Sequence, residues 1–392
     1  MGPLDGLTVL DLTRVLSGPY CTMLLADMGA RVIKIEQTGK GDDTRAWGPP
    51  FLEGESAYFL CINRNKESIT LDFKHREGRA ILDALISKAD VLVENFRPGT
   101  LDKLGLDYAS LANDHPRLVY TSVSGFGQTG PRRKEPGYDA IMQAEGGLMS
   151  VTGPNEGPSF RLGVAIADIV SGMFAAYGTS MALFARERSG RGQQVDIAML
   201  DSVAALLTYQ AGNYFASGKV PTRLGNRHPS IVPYETFAAT DGDFIVGVGT
   251  DEQWRKFRAV TGLPDDERFA TNRQRVTAYD ELRPIVAAAL RAKPRQFWIE
   301  ALNSAGVPSG SVRNLQELFA DPQMEARDMI AQIEHATIGA LKVLGIPVKL
   351  SHTPGDIRTA PPLLGQHTRA VLQRDLGLDA AAIDALQAQR VI

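Results

Sequence analysis

The sequence predicts an α/β fold in two parts, a large domain built on a parallel sheet covered by helices and a smaller α/β domain after it. Apolar strand-like runs alternate with helical stretches through the first third of the chain, the order that produces parallel strands joined by helical crossovers. A segment dense in Pro, Gly and basic residues, 220–233, then interrupts the pattern. Beyond it the pattern restarts with a turn and a strand at 241–248.

Taken in order, LTVLDL at 7–12 reads as a buried strand, Gly18 and Pro19 open a helix to about Met28, and RVIKIE at 31–36 is a second strand. A helix over 77–88, a strand at 90–95 and a strand at 118–123 continue the alternation. The long apolar stretch that follows predicts a helix starting near Asp168 and ending in the charged run 186–188. A further helical stretch covers 195–217. These readings set a large domain at 1–219, a linker at 220–240 and a small domain at 241–324 with amphipathic helices to about 303. Residues 325–392, with LGIPVKL at 344–350 and a final helix, return to complete the large domain.

Composition narrows the function. With 392 residues, 44% hydrophobic and 22% charged, the chain has enough apolar sequence for two cores. A net charge of −3 offers no general attraction to nucleic acid or to anionic lipid, so neither is an expected partner. The densest basic run, Arg132, Arg133 and Lys134, is a solvated loop face or a local phosphate contact. Two cysteines, Cys21 and Cys61, argue against a disulfide framework, and MGPLDGLT at the start has no export signal, so the expected location is cytoplasmic.

Asp168 is the only charged residue between Arg161 and Arg186. Taking an unpaired carboxylate out of water is costly and raises its pKa, so such a group is paired, neutralised or put to chemical use. The plain alternative is a helix-capping Asp or a partner for a distant basic residue. The stretch is long enough to cross a bilayer, but Gly163, Ser171, Gly172, Gly178, Thr179 and Ser180 dilute it, so a buried helix is expected. The six histidines have no paired spacing and the cysteines lie far apart, so no metal is expected. GFGQTG at 125–130 has the glycine spacing of a dinucleotide loop, yet Pro131 and basic residues follow it where a helix is required, and no cofactor is expected to stay bound.

Seven segments together carry a resemblance: LDLTRVLSGP (10–19), GARVIKIE (29–36), GDDTRAWGPP (41–50), NRNK (63–66), ENFRPG (94–99), SGFGQTGP (124–131) and PLLGQHT (362–368). They resemble the family III CoA-transferases, the family of formyl-CoA transferase and the carnitine CoA-transferase. That resemblance implies a Rossmann-like large domain, an interlocked homodimer, and CoA exchange between an acyl-CoA and a carboxylic acid, with coenzyme A as substrate. Asp168 matches the catalytic aspartate, which would form an aspartyl anhydride and then an aspartyl-CoA thioester. Val15, Leu71, Lys74, Asn95, Phe96 and Lys103 match positions that line CoA. Gln37 stands where formyl-CoA transferase has a basic residue, and the glycine-rich loop of that enzyme has no counterpart in 220–250.

Within the family, GDDTRAWGPP and HPSIVPYETF (228–237) look most like the succinyl-CoA-dependent dicarboxylate transferases. Arg45 or Arg227 is the expected receiver of the distal carboxylate. The alternative is an α-methylacyl-CoA racemase, which pairs a His with the Asp. This chain has Gly137, Tyr138 and Asp139 where the racemases have Gly, His and Asp, and tyrosine is a weak base near neutral pH.

Overall fold

The computed structural model describes residues 1–392, which form two compact units. The larger comprises Met1–Leu148, Leu162–Gly212 and Pro322–Ile392, and the smaller comprises Met149–Arg161 and Asn213–Asp321.

The larger unit is built on a six-stranded sheet: β1 (Thr8–Asp11), β2 (Arg31–Glu36), β3 (Lys66–Thr70), β4 (Val91–Glu94), β5 (Val119–Ser124) and β6 (Gln194–Ala198). Every pairing is parallel, in the order β3-β2-β1-β4-β5-β6. The chain steps outward from β1 to β3, returns to the centre at β4 and steps outward again. The direction therefore reverses between β1 and β4. In sheets of this type, ligands bind beyond the carboxyl ends of the strands at such a reversal.

Branched apolar residues fill both faces of the sheet. Leu10, Ile33, Ile69 and Leu92 pack on one face with the helices Arg76–Ile86, Thr368–Leu376 and Ala380–Ala388. Val9, Val32, Val91, Val93 and Val119 pack on the other with the helices Ser17–Asp27 and Ile166–Ser189. That last helix has the length and mean hydropathy to cross a membrane by composition alone, and half of its most apolar window is buried inside the protein.

The smaller unit has an antiparallel sheet ordered Ser309–Ser311, Asp243–Gly247, Tyr234–Ala238, covered by the helices Asp251–Thr261, Tyr279–Leu290 and Arg295–Ser304. Phe244, Trp254, Phe257, Val286 and Leu302 form its core. Arg275 is fully buried there, and its guanidinium donates to the carbonyls of Val232, Phe269 and Ala270 and to Asp251.

Three local readings differ from the structure, and one strand, β3, has no counterpart in the sequence reading. Residues 194–198 are the edge strand β6, and the helical stretch divides into Met199–Leu206 and Thr208–Ser217. QVDIA has β-branched residues at alternate positions, a pattern masked by the helix-forming sequence after it. The strand β3, KESIT, carries too many polar residues to read as buried, and Lys66 is nevertheless fully buried. Tyr234–Ala238 is a strand inside the segment expected to be a linker, and residues 149–161 join the smaller unit.

Candidate active site

Asp168 sits in the first turn of the helix Ile166–Ser189. The backbone N–H and the hydroxyl of Ser17, the first residue of the helix Ser17–Asp27, lie beside its carboxylate and favour its charged form. Two helix amino termini, each with unpaired N–H groups and a partial positive charge, therefore flank one carboxylate. Gly172, one turn beyond Asp168, makes this approach possible. A Cβ at that position would lie 2.6 Å from the carbonyl oxygen of Ser17, closer than side-chain carbons come to oxygen.

Asp168 forms no ion pair. Another carboxylate, Asp139, stands near it, accepting from the Ala167 N–H at 2.9 Å and from the Gln143 amide at 2.8 Å, and so caps the Asp168 helix from outside. Burial pushes the Asp168 pKa up, Asp139 adds to the rise, and the Ser17 N–H and hydroxyl offset part of it, leaving Asp168 at about 7. Tyr58 lies alongside: burial first and the charge of Asp168 second push its phenol to about 12. Its ring meets Trp47 edge-on, with centroids 5.2 Å apart.

Asp168 opens on a cavity of about 150 Å³ with Arg14, Val15, Ser17, Asn95, Phe96 and Tyr138 among its walls. A larger cleft, about 730 Å³, runs along the carboxyl ends of β1, β2 and β3. Arg14 and Phe96 border both, the Arg14 guanidinium carbon 5.3 Å from the Phe96 ring centroid. The two spaces meet where the strand order reverses.

The loop between β1 and its helix forms the floor of this junction, and buried charges hold it. Lys66 donates to Asp11 at 3.1 Å and to the Pro19 carbonyl at 2.9 Å. Lys34 donates to the Thr13 carbonyl and pairs with Asp42 at 2.9 Å. Asp42 accepts from the Val15 N–H at 3.2 Å, and Asn95 brackets Arg14 by bonding both its N–H and its carbonyl. Val15 itself is left-handed, with φ 70°, a strained conformation for a β-branched residue that only such anchoring maintains.

The residues matched to CoA positions fall as follows. Val15, Asn95 and Phe96 line the smaller cavity, and Leu71, Lys74 and Phe96 line the cleft. Lys103 lies in the short turn of helix Asp102–Leu104, exposed and outside both spaces. Arg45 is turned away from them: it donates to both oxygens of Glu36 at 2.7 Å and to the Pro362 carbonyl, and stacks 3.6 Å over Phe59. With Nε and Nη2 taken, it has no free fork for a carboxylate, because the buried Glu36 claims it. Arg227 lies in the smaller unit, its guanidinium 3.3 Å over the Tyr279 ring and its Nε buried without a partner.

Ser17 and Tyr58 were not singled out from sequence, and Asp139 was read only as the match to the Asp of the racemase motif. A signal for Ser17 existed, since SGP marks a helix start whose amino terminus favours an anion. Asp139 and Tyr58 reach Asp168 only through the fold.

The chain is 42% identical over 396 residues to succinyl-CoA:glutarate CoA-transferase of Mus musculus, covering 100% of this chain and 91% of that protein. It is 44% identical over 354 residues to acetyl-CoA:oxalate CoA-transferase of Acetobacter aceti, covering 89% and 90%. The crystal structure of a CAIB/BAIF family protein from Brucella suis superposes with a TM-score of 0.84 at 41% identity, over 95% of this chain and 99% of that one. The model of CoA-transferase family III matches residues 4–368, and the chain belongs to that family of enzymes.

Proposed function

We propose that the protein moves CoA from succinyl-CoA to a dicarboxylate such as glutarate, with Asp168 as the covalent carrier. One observation carries the reading: a carboxylate with no ion-pair partner and a pKa of about 7 faces a cavity that meets a long cleft at the strand reversal. Such a group is desolvated enough to attack and ionised enough at neutral pH to do so. The likeness to a succinyl-CoA:glutarate transferase supports the choice of donor and acceptor.

A carboxylate oxygen of Asp168 attacks the thioester carbonyl, the C–S bond breaks, and CoA thiolate leaves a mixed anhydride on Asp168. The thiolate attacks the Asp168 acyl carbon, expels succinate and leaves an aspartyl-CoA thioester. The acceptor carboxylate then attacks that thioester, and the returning thiolate takes the new acyl group and frees Asp168. Each step exchanges an oxygen for a sulfur at an acyl carbon, so no proton or external reagent is consumed. Ser17, through its N–H and hydroxyl, orients the attacking carboxylate.

CoA lies along the cleft and the cavity it meets, against Leu71 and Phe96 in the cleft and Val15 and Asn95 in the cavity, with Lys74 near its phosphates; Lys103 lies outside both spaces and is not among its contacts.

The protein works as an interlocked homodimer. On the Asp168 helix, Met173, Phe174, Tyr177, Met181 and Phe184 form an exposed apolar stripe, with Tyr177 at 64% and Phe184 at 56% exposure. A stripe of that size marks an interface with another chain. A folded monomer on dilution would count against a second copy as the occupant.

The experiment is intact-mass measurement after incubation with succinyl-CoA, with hydroxylamine trapping. A CoA adduct or an Asp168 hydroxamate, both absent in Asp168→Ala, is the expected result. No adduct, together with loss of α-deuterium from a methyl-branched acyl-CoA, establishes racemisation instead.

A further inference from the structure

Arg390 stands at an unusual place in the backbone. The helix Ala380–Ala388 ends in a paired closure: the Arg390 N–H bonds the Gln387 carbonyl at 3.0 Å and the Val391 N–H bonds the Leu386 carbonyl at 2.9 Å. This closure requires a left-handed residue, and Arg390 has φ 59°. Glycine is the usual occupant, because any side chain there adds strain. Val391 and Leu386 pack together in the core, as the closure favours, so the local fold has no use for an arginine.

What the arginine does instead is line the 730 Å³ cleft. The Val391 carbonyl accepts from the Asp72 N–H at 2.7 Å and from the Thr38 hydroxyl at 3.5 Å, which ties the arginine to the ends of β2 and β3. Arg390 is exposed and makes no ion pair or side-chain hydrogen bond. Lys74, also exposed, is on the same wall. The acidic residues of the cleft are occupied: Glu36 by Arg45, Asp42 by Lys34, and Asp72 by the Lys74 N–H.

Position decides which part of a ligand reaches it. The thioester must lie by Asp168, next to Phe96 at the end of β4. Arg390 and Lys74 lie off the ends of β2 and β3, and β3 is three strand spacings, roughly 15 Å, from β4. A CoA molecule with its sulfur at Asp168 brings its nucleotide end there.

We infer that Arg390 binds the 3′-phosphate of CoA and is the residue by which this cleft distinguishes CoA from its dephosphorylated form. The inference rests on the transferase reading above. A guanidinium supplies the two-pronged donor that a terminal phosphate favours, and it provides a basic contact on the wall where Gln37 offers none.

Calorimetric titration of the full-length protein with CoA and with 3′-dephospho-CoA tests it, using wild type, Arg390→Gly and Arg390→Lys. Arg390→Gly is expected to bind CoA roughly ten- to a hundredfold more weakly, the effect of losing a charge-assisted contact. It should bind dephospho-CoA as wild type does, and its Tm should be equal or higher because glycine relieves the left-handed strain. Arg390→Lys should recover part of the discrimination. If Arg390→Gly keeps the wild-type preference for CoA, or weakens both forms equally, the inference fails. A wild type that binds neither form defeats the transferase reading itself.

Discussion

Two groups of buried carboxylates in the larger unit share a low-dielectric setting and differ in everything else. Asp11, Glu36 and Asp42 lie under the loop that follows β1, and Asp168 lies above it. Burial pushes Asp11 up, but Lys66 and Lys34 more than cancel the rise and hold it well below the usual carboxylate range. Glu36 and Asp42 are likewise held low, by Arg45 and Lys34 against the cost of burial. Asp168 has no ion-pair partner, only the Ser17 N–H and hydroxyl to favour its charge against burial and a second carboxylate, and it rises to about 7. A buried carboxylate with a cation acts as a fastener, and one without is available to react.

Glu94 shows that a raised pKa is not sufficient. Burial pushes it to about 7 as well, with Ser122 and the Phe96 N–H offsetting part of the rise. Yet it lines a space of only about 20 Å³, too small for a substrate, whereas Asp168 opens on the cavity that leads to the cleft. Access separates the two.

The comparison can be broken most directly at Lys66. Lys66→Met leaves the Asp11 carboxylate without its contacting ammonium, and should cost roughly 3–5 kcal/mol of stability, whereas Asp168→Asn should cost none and should stabilise. For Asp168 the sign follows from its raised pKa: between about 4 and 7 the folded state holds a proton that the unfolded state releases, so its stability falls as pH rises through that window. The Tm advantage of Asp168→Asn should therefore grow from pH 4 to pH 7 and then level off. Thermal and urea midpoints across that range measure both, and a Lys66→Met protein as stable as wild type would remove the fastener role.

A finer test is Asp139→Asn, which preserves the cap on Ala167 and removes the negative charge beside Asp168. The rate of adduct formation in wild type should rise with pH through about 7 as the Asp168 carboxylate forms. In Asp139→Asn the midpoint should move down by roughly half a unit to one unit, as expected when a like charge is withdrawn. An unmoved midpoint means that burial alone sets the nucleophile.

Much of the larger sheet was legible because its signals are local. β1, β2, β4 and β5 are short apolar runs punctuated by helix starts, and the predicted segments coincide with them within about two residues. β3 was illegible because Lys66 is buried by virtue of Asp11, a partner far away in the chain. β6 was hidden by the helix that begins directly after it. Among site residues, Asp168 was visible through its isolation. The fate of Arg45 was not, because its attraction to Glu36 depends on two loops meeting.

By itself the sequence determined the alternation of strands and helices and the absence of any cation near Asp168 along its own helix, since both depend on neighbours within a few turns. The tertiary structure alone decided that Ser17 meets the carboxylate, that Asp139 stands beside it, that Gly172 lets the helices close to contact, and that Arg390 faces the cleft. Charge acts through space over a few ångströms, and only the fold sets which charges come that close.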